Sequence, residues 1–125
     1  NQGQFIEEAI LSVLKQNYEN FEHIIIDAGS TDSTIDILNN YPHLKWISEP
    51  DKGQSDALNK GFIKATGEWI LWLNADDVML PEAFHKVVKA INTQQYDVIH
   101  GNVCFFEDKS DRIVKTQYFT KFKRL

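Results

Sequence analysis

The sequence predicts an α/β fold: a mainly parallel sheet with helices on both faces. Three observations point there. Helical and strand-like stretches alternate along the chain, the pattern of parallel strands joined by crossover helices. The strand-like stretches are short, continuous apolar runs, as strands buried on both faces require. Polar turns follow three successive strand-like runs.

Each element has its own reason. "QFIEEAILSVLKQN" sets Phe5, Ile6, Ala9, Ile10, Val13 and Leu14 on one helical face. "HIIID" is a β-branched run bounded by polar residues and reads as a strand. "GSTDSTIDILNN" supplies turn chemistry and then a helix, with Asp32 or Ser33 as its N-cap. "LKWIS" is the next strand. "GQSDALNKGFIKATG" spaces Ala57, Leu58, Gly61, Phe62 and Ala65 for a helix that Gly67 would close. "EWILWL" is the third strand. "PEAFHKVVKAI" is a helix with Pro81 in its first turn and Phe84, Val87, Val88 and Ile91 inward. "YDVIHGNVCFFE" and "RIVKTQYF" are strand-like around a "DKSD" turn. "NQGQ" opens directly into a helix, so a further strand is expected ahead of Asn1. The chain then reads as one incomplete domain, residues 1–125, of a larger whole.

Composition narrows the function classes. At 125 residues the chain can bury one sizeable core. It contains no run of about 18 apolar residues, the length of a membrane span. The lone Cys104 excludes an internal disulfide and a cysteine-based zinc site, and it is expected as a small strand residue. The net charge of −5 argues against nucleic acid as a partner. The charge is uneven: Lys109, Arg112, Lys115, Lys121, Lys123 and Arg124 face Asp111 alone at the far end. That end is either a solvated hairpin or tail, or a face for an anionic membrane surface or ligand. The four histidines show no ligand spacing, and Trp46, Trp69 and Trp72 are expected in the core.

In an open α/β sheet, ligands bind beyond the carboxyl ends of the strands. Three polar clusters fall there: "DAGSTD", "SEPDKGQSDALNKG" and "NADD". One shared site lined by all three is the simplest account. Asp76 and Asp77 would repel each other without a cation. Carboxylates and an amide at a strand end suit Mg²⁺ or Mn²⁺, which take one or two carboxylates and fill the shell with phosphate oxygens and water. Asp27 could accept hydrogen bonds from a nucleotide base or ribose. Lys52 and Gly53 could approach a phosphate at the start of a helix, where anions are favoured. Plainer readings stand beside these. Asp27 could be a turn former bonded to the amides of Ser30 and Thr31. Asp77 could cap the helix near Pro81. Asp56 could only favour a helix dipole, and Lys52 could be a solvated side chain.

At these clusters the sequence resembles the family 2 glycosyltransferases, inverting nucleotide-sugar transferases of the Rossmann-like GT-A fold. "NQGQFIEEAILSVLKQNYENFEHIIIDAGSTDST" looks like that family's opening, and "EPDKGQSDALNKGFIKATGEWILWLNADD" like its run to the Asp-x-Asp motif. The resemblance implies a nucleoside contact at Asp27 and a metal ligand at Asp76, with Asp77 as a neighbouring support. Lys52, Gly53 and Asn74 complete the implied donor site. Asn74 and Ala28 depart from the pattern, since the family puts an acid at the first and often at the second. The implied reaction moves a sugar from a nucleoside-diphosphate sugar to a hydroxyl of a carbohydrate or lipid-linked acceptor, with inversion. The catalytic base is expected beyond Leu125; Glu107–Asp108 reads instead as a hairpin turn. The implied setting is polysaccharide or glycoconjugate synthesis in the cytoplasm, with peripheral association at the inner face of a membrane. Two alternatives remain: a non-catalytic nucleotide- or sugar-binding module, and a phosphotransfer domain using strand-end aspartates.

Overall fold

The computed structural model describes residues 1–93, 96–106 and 113–117. The chain divides into two compact units, Asn1–Lys86 and Val87–Leu125. The first contains α1 (Ile6–Leu14), β1 (His23–Asp27), α2 (Thr34–Asn39), β2 (Leu44–Ser48), α3 (Gln54–Lys64) and the start of α4 (Ala83–Thr93).

β1 and β2 pair in parallel, from His23 opposite Leu44 to Asp27 opposite Ser48. Strand alternation then sorts the side chains. Ile25 and Trp46 share one face, while Ile24 and Ile26 share the other. On the first face, Ile25 and Trp46 pack on Ile6 and Ile10 of α1, Leu38 of α2, and Leu44. Ile10 and Leu38 are 1% and 0% exposed, so each contributes about 1.5–3 kcal/mol of apolar burial. On the second face α3 approaches closely. A Cβ at Gly61 would lie 3.6 Å from Ile26 Cγ1. Helices therefore cover both faces of the parallel pair, as predicted.

In the second unit β3 (Val103–Phe106) pairs antiparallel with β4 (Ile113–Gln117), with a register shift between Phe105 and Phe106. Cys104 lies half-buried in β3. Glu107–Asp108 and the "DKSD" turn lie outside the described residues, as does the basic end except for residues 113–117. No described helix is long and apolar enough to cross a membrane.

Three local expectations need correction. "EWILWL" is not a strand. Apolar sequence alone does not make one, because the ladder needs a neighbouring backbone, and neither sheet extends to these residues. Trp69 and Trp72 are accordingly 36% and 56% exposed, not core. The last helix begins at Ala83 rather than at Pro81. Glu82 has φ +65°, which right-handed helix does not allow. Finally, α3 stops at Lys64 because Ala65 is already extended (φ −67°, ψ 136°), so Gly67 does not cap it.

Candidate functional site

β1 and β2 end side by side, and the chemistry starts there. Asp27 is 8% exposed. Its Oδ2 accepts from the amides of Gly29 (3.0 Å) and Ser30 (2.8 Å) and from the Ser48 hydroxyl (2.6 Å). Its Oδ1 accepts the Ser30 hydroxyl. Burial pushes this carboxyl upward, but the hydroxyls of Ser30 and Ser48 and the two amides outweigh it and hold it below its ordinary value. Asp27 is thus a turn organiser in an ionised state. The predicted amide partners were Ser30 and Thr31; the Thr31 amide instead donates to Asn1 Oδ1 at 2.7 Å.

The rest of this turn is equally well tied. Asp32 accepts from the amides of Gly3 (2.9 Å) and Thr34 (3.0 Å) and from the Thr34 hydroxyl. The Thr34 hydroxyl bond, with the Gly3 amide next, overcomes desolvation and lowers the Asp32 carboxyl to about 2. Asp32 therefore supplies the capping bond to α2, while Ser33 makes none with its side chain.

The turn after β2 closes around Gly53, whose φ of +108° and ψ of 175° suit glycine alone. The Gly53 amide donates to Asp51 Oδ1 at 2.8 Å, and the Lys52 amide to Asp56 Oδ2 at 3.1 Å. Lys60 completes the clamp, donating to the Pro50 carbonyl (3.0 Å) and pairing with Glu49 (2.9 Å) and Asp56 (3.6 Å). Asp56 thereby does more than favour a helix dipole. The Lys52 side chain is exposed and forms no ion pair among the described residues.

The third turn is organised by Asn74 instead of by an acid. Asn74 Oδ1 accepts from Gln54 Nε2 (3.0 Å), the first residue of α3, and from Trp72 Nε1 (3.1 Å). Its Nδ2 donates to Asp77 Oδ2 at 2.7 Å. Asp77 therefore faces Asn74 and does not cap α4. Asp76 is exposed and makes no hydrogen bond or ion pair among the described residues. Ala75, between Asn74 and Asp76, packs against the core.

Hydrogen bonds link the turns in sequence: Asp27 to Ser48 joins the first two, and Gln54 to Asn74 joins the last two. Ser48 and Gln54, which carry these links, escaped the sequence reading. The parallel register could have found Ser48, opposite Asp27; Gln54 gave no signal beyond following Gly53. For a divalent ion the donor set is one unpartnered carboxylate, Asp76, and one partly engaged, Asp77. That suits an ion completing its shell with phosphate and water. No group of three or more His, Cys, Asp or Glu among the described residues could hold an ion unaided.

The whole chain, residues 1–125, matches the family model for glycosyl transferase family 2. An uncharacterized glycosyltransferase of Nostoc sp. is 34% identical over 114 residues, covering 82% of this chain and 35% of the relative. Glycosyltransferase GlyG of Streptococcus pneumoniae is 29% identical, covering 89% of this chain and 38% of its own length. A PGL/p-HBAD biosynthesis glycosyltransferase of Mycobacterium bovis is 36% identical over 99 residues, covering 74% of this chain and 39% of its own. The chain thus spans well under half the length of these curated relatives.

Proposed function

This chain belongs to glycosyl transferase family 2, and on that premise we propose that it forms the donor-binding part of an enzyme that transfers a sugar from a nucleoside-diphosphate sugar to an acceptor hydroxyl with inversion. The observation that carries the reading is the linkage of the three turns, Asp27 to Ser48 and Gln54 to Asn74. One ligand spanning nucleoside and diphosphate would use all three.

The residues divide the work. Asp27 Oδ1 takes only the Ser30 hydroxyl, which leaves an acceptor position for a base N–H or a ribose hydroxyl. Gly53 lets backbone approach the diphosphate without a side chain in the way, and the exposed Lys52 ammonium offsets its charge. Asp76, with Asp77 beside it, would hold Mg²⁺ or Mn²⁺. A bound ion of this kind supplies charge stabilisation for the departing nucleoside diphosphate. Asn74 contributes an oriented amide where the family pattern has an acid, so it brings no charge of its own. No position here matches the family's base that takes the acceptor proton. The acceptor is proposed to be a carbohydrate or a lipid-linked glycan precursor.

The phosphotransfer alternative finds less support, since Asn74, a neutral amide, stands at the position of the "NADD" motif where such an enzyme needs its nucleophilic carboxylate. A thermal-shift screen of nucleoside diphosphates with and without Mn²⁺, on the full-length protein, tests the donor reading. At a hundredfold excess over Kd the stabilisation is about 2.7 kcal/mol, a shift of several degrees. No nucleotide and metal pair giving a shift would sink it. Binding without transfer or donor hydrolysis would favour the non-catalytic module.

A further inference from the structure

We propose that Gln16, with Ser12, is the positioning residue for the acidic turn, holding Asp76 and Asp77 where a metal–diphosphate can engage them. The inference rests on the donor-site reading above. Gln16 is 1% exposed and sits just past the C-terminus of α1, one turn after Ser12. A buried primary amide is costly unless its donors and acceptor are satisfied. Gln16 meets that demand mainly with backbone far along the chain. Its Nε2 donates to the Ser12 carbonyl (3.0 Å) and to the Leu80 carbonyl (3.1 Å). Its Oε1 accepts the Phe84 amide at 3.2 Å, near the start of α4. Ser12 acts in parallel: its hydroxyl donates to the Ala9 carbonyl (2.7 Å) and accepts the Met79 amide (2.9 Å).

These bonds anchor the chain just after the acidic pair. Ahead of it, Ala75 is packed against the core. Behind it, Met79 is pinned to Ser12 of α1, and Leu80 and Phe84 to Gln16 just past that helix, whose Ile6 and Ile10 belong to that same core. The pinned segment also contains Glu82 at φ +65°, a conformation that persists only when its surroundings over-determine it. A depression of about 430 Å³ lies between α1 and Val78, Met79 and Pro81. Solvent therefore reaches that side of the segment, and the hydrogen bonds to Ser12 and Gln16 tie its path down. A turn that loses them keeps its carboxylates but not their placement, and ion coordination is sensitive to shifts well under 1 Å.

The test compares wild type, Gln16→Met and Ser12→Ala in the full-length protein, well below each melting temperature. The probe is whichever of the uridine, guanosine, thymidine and cytidine diphosphates binds wild type best with Mn²⁺. Calorimetry is run with Mn²⁺ and with EDTA, and amide exchange is followed over residues 75–84. Gln16→Met is expected to weaken Mn²⁺-dependent binding 5- to 20-fold and leave EDTA binding unchanged. Faster exchange in that segment should accompany it, with a smaller change of the same kind in Ser12→Ala. A role confined to stability would lower the melting temperature and leave the Mn²⁺-to-EDTA ratio intact. If wild type binds with Mn²⁺ and the ratio holds in both variants, this inference alone is overturned. If wild type shows no Mn²⁺-dependent binding, the donor-site reading falls and takes the inference with it.

Discussion

The turn after β1 and the turn at residues 74–77 both carry aspartates, yet they are built in opposite ways. In the first, Asp27 and Asp32 spend their oxygens on the protein's own amides and hydroxyls. In the second, Asp76 has no described partner and Asp77 has one, while the neutral Asn74 does the structural bonding. A carboxylate that holds up a turn is hard to remove without loss of stability. One left open contributes little to the fold and stays available to a cation. The difference separates what these acids do for the fold from what they do for a ligand.

The largest expected effect on stability is in the closed turn. Asp27→Ala leaves the Gly29 and Ser30 amides and the Ser30 and Ser48 hydroxyls without this acceptor, four donors at an almost buried position. The expected loss is about 3 kcal/mol by urea denaturation; a loss below about 1 kcal/mol would show that this turn is not closed as described.

Acid should next separate the two ends of β1. At its start His23 is half-buried, with Nδ1 lacking a hydrogen-bond partner among the described residues. Burial, with the nearby His43 adding to it, lowers the imidazole to about 4 from its ordinary 6.5. The unfolded chain then binds a proton that the folded chain refuses. Stability is full above pH 6.5 and falls as the pH drops toward 4, by up to about 3 kcal/mol. Asp27 at the other end, whose folded value is depressed, contributes stability above its ordinary carboxylate range that is lost only at lower pH. His23→Leu should flatten the upper limb and leave the lower one. An unchanged upper limb would mean that His23 does not govern it.

Smaller effects sharpen the contrast. Ser48→Ala removes one of the bonds to Asp27 and is expected to cost about 1 kcal/mol. Asn74→Asp removes the donor to Asp77 and adds a charge beside it. Its expected cost in stability is about 0.5 kcal/mol, alongside Mn²⁺-dependent nucleotide binding several-fold tighter. Weaker binding would mean that the amide's bonds to Gln54 and Trp72 matter more than its missing charge.

Much of the closed turn was legible in the sequence. The β-branched run to Asp27 and the "LKWIS" run have the same bounds in sequence and structure, because each finds its neighbour in the other. "EWILWL" has the same apolar character and no ladder, since composition cannot supply the adjoining backbone. The start of α4 was illegible for a related reason. Pro81 suits a helix's first turn, but Glu82 takes a left-handed backbone that local preference disfavours, between Leu80 and Phe84, which bond to the distant Gln16. The clustering of three turns was predicted from topology. The bonds joining them through Ser48 and Gln54 depend on side-chain reach that no spacing rule encodes.

The most direct test of the open turn is calorimetric titration of the best-binding nucleoside diphosphate into wild type and Asp76→Asn, each with Mn²⁺ and with EDTA, beside a melting curve. The expected result is that Asp76→Asn abolishes the Mn²⁺-dependent binding, retains the EDTA affinity, and changes stability by less than about 0.5 kcal/mol. Mn²⁺-dependent binding that survives at full strength would contradict the assignment of Asp76 as the carboxylate kept open for the ion.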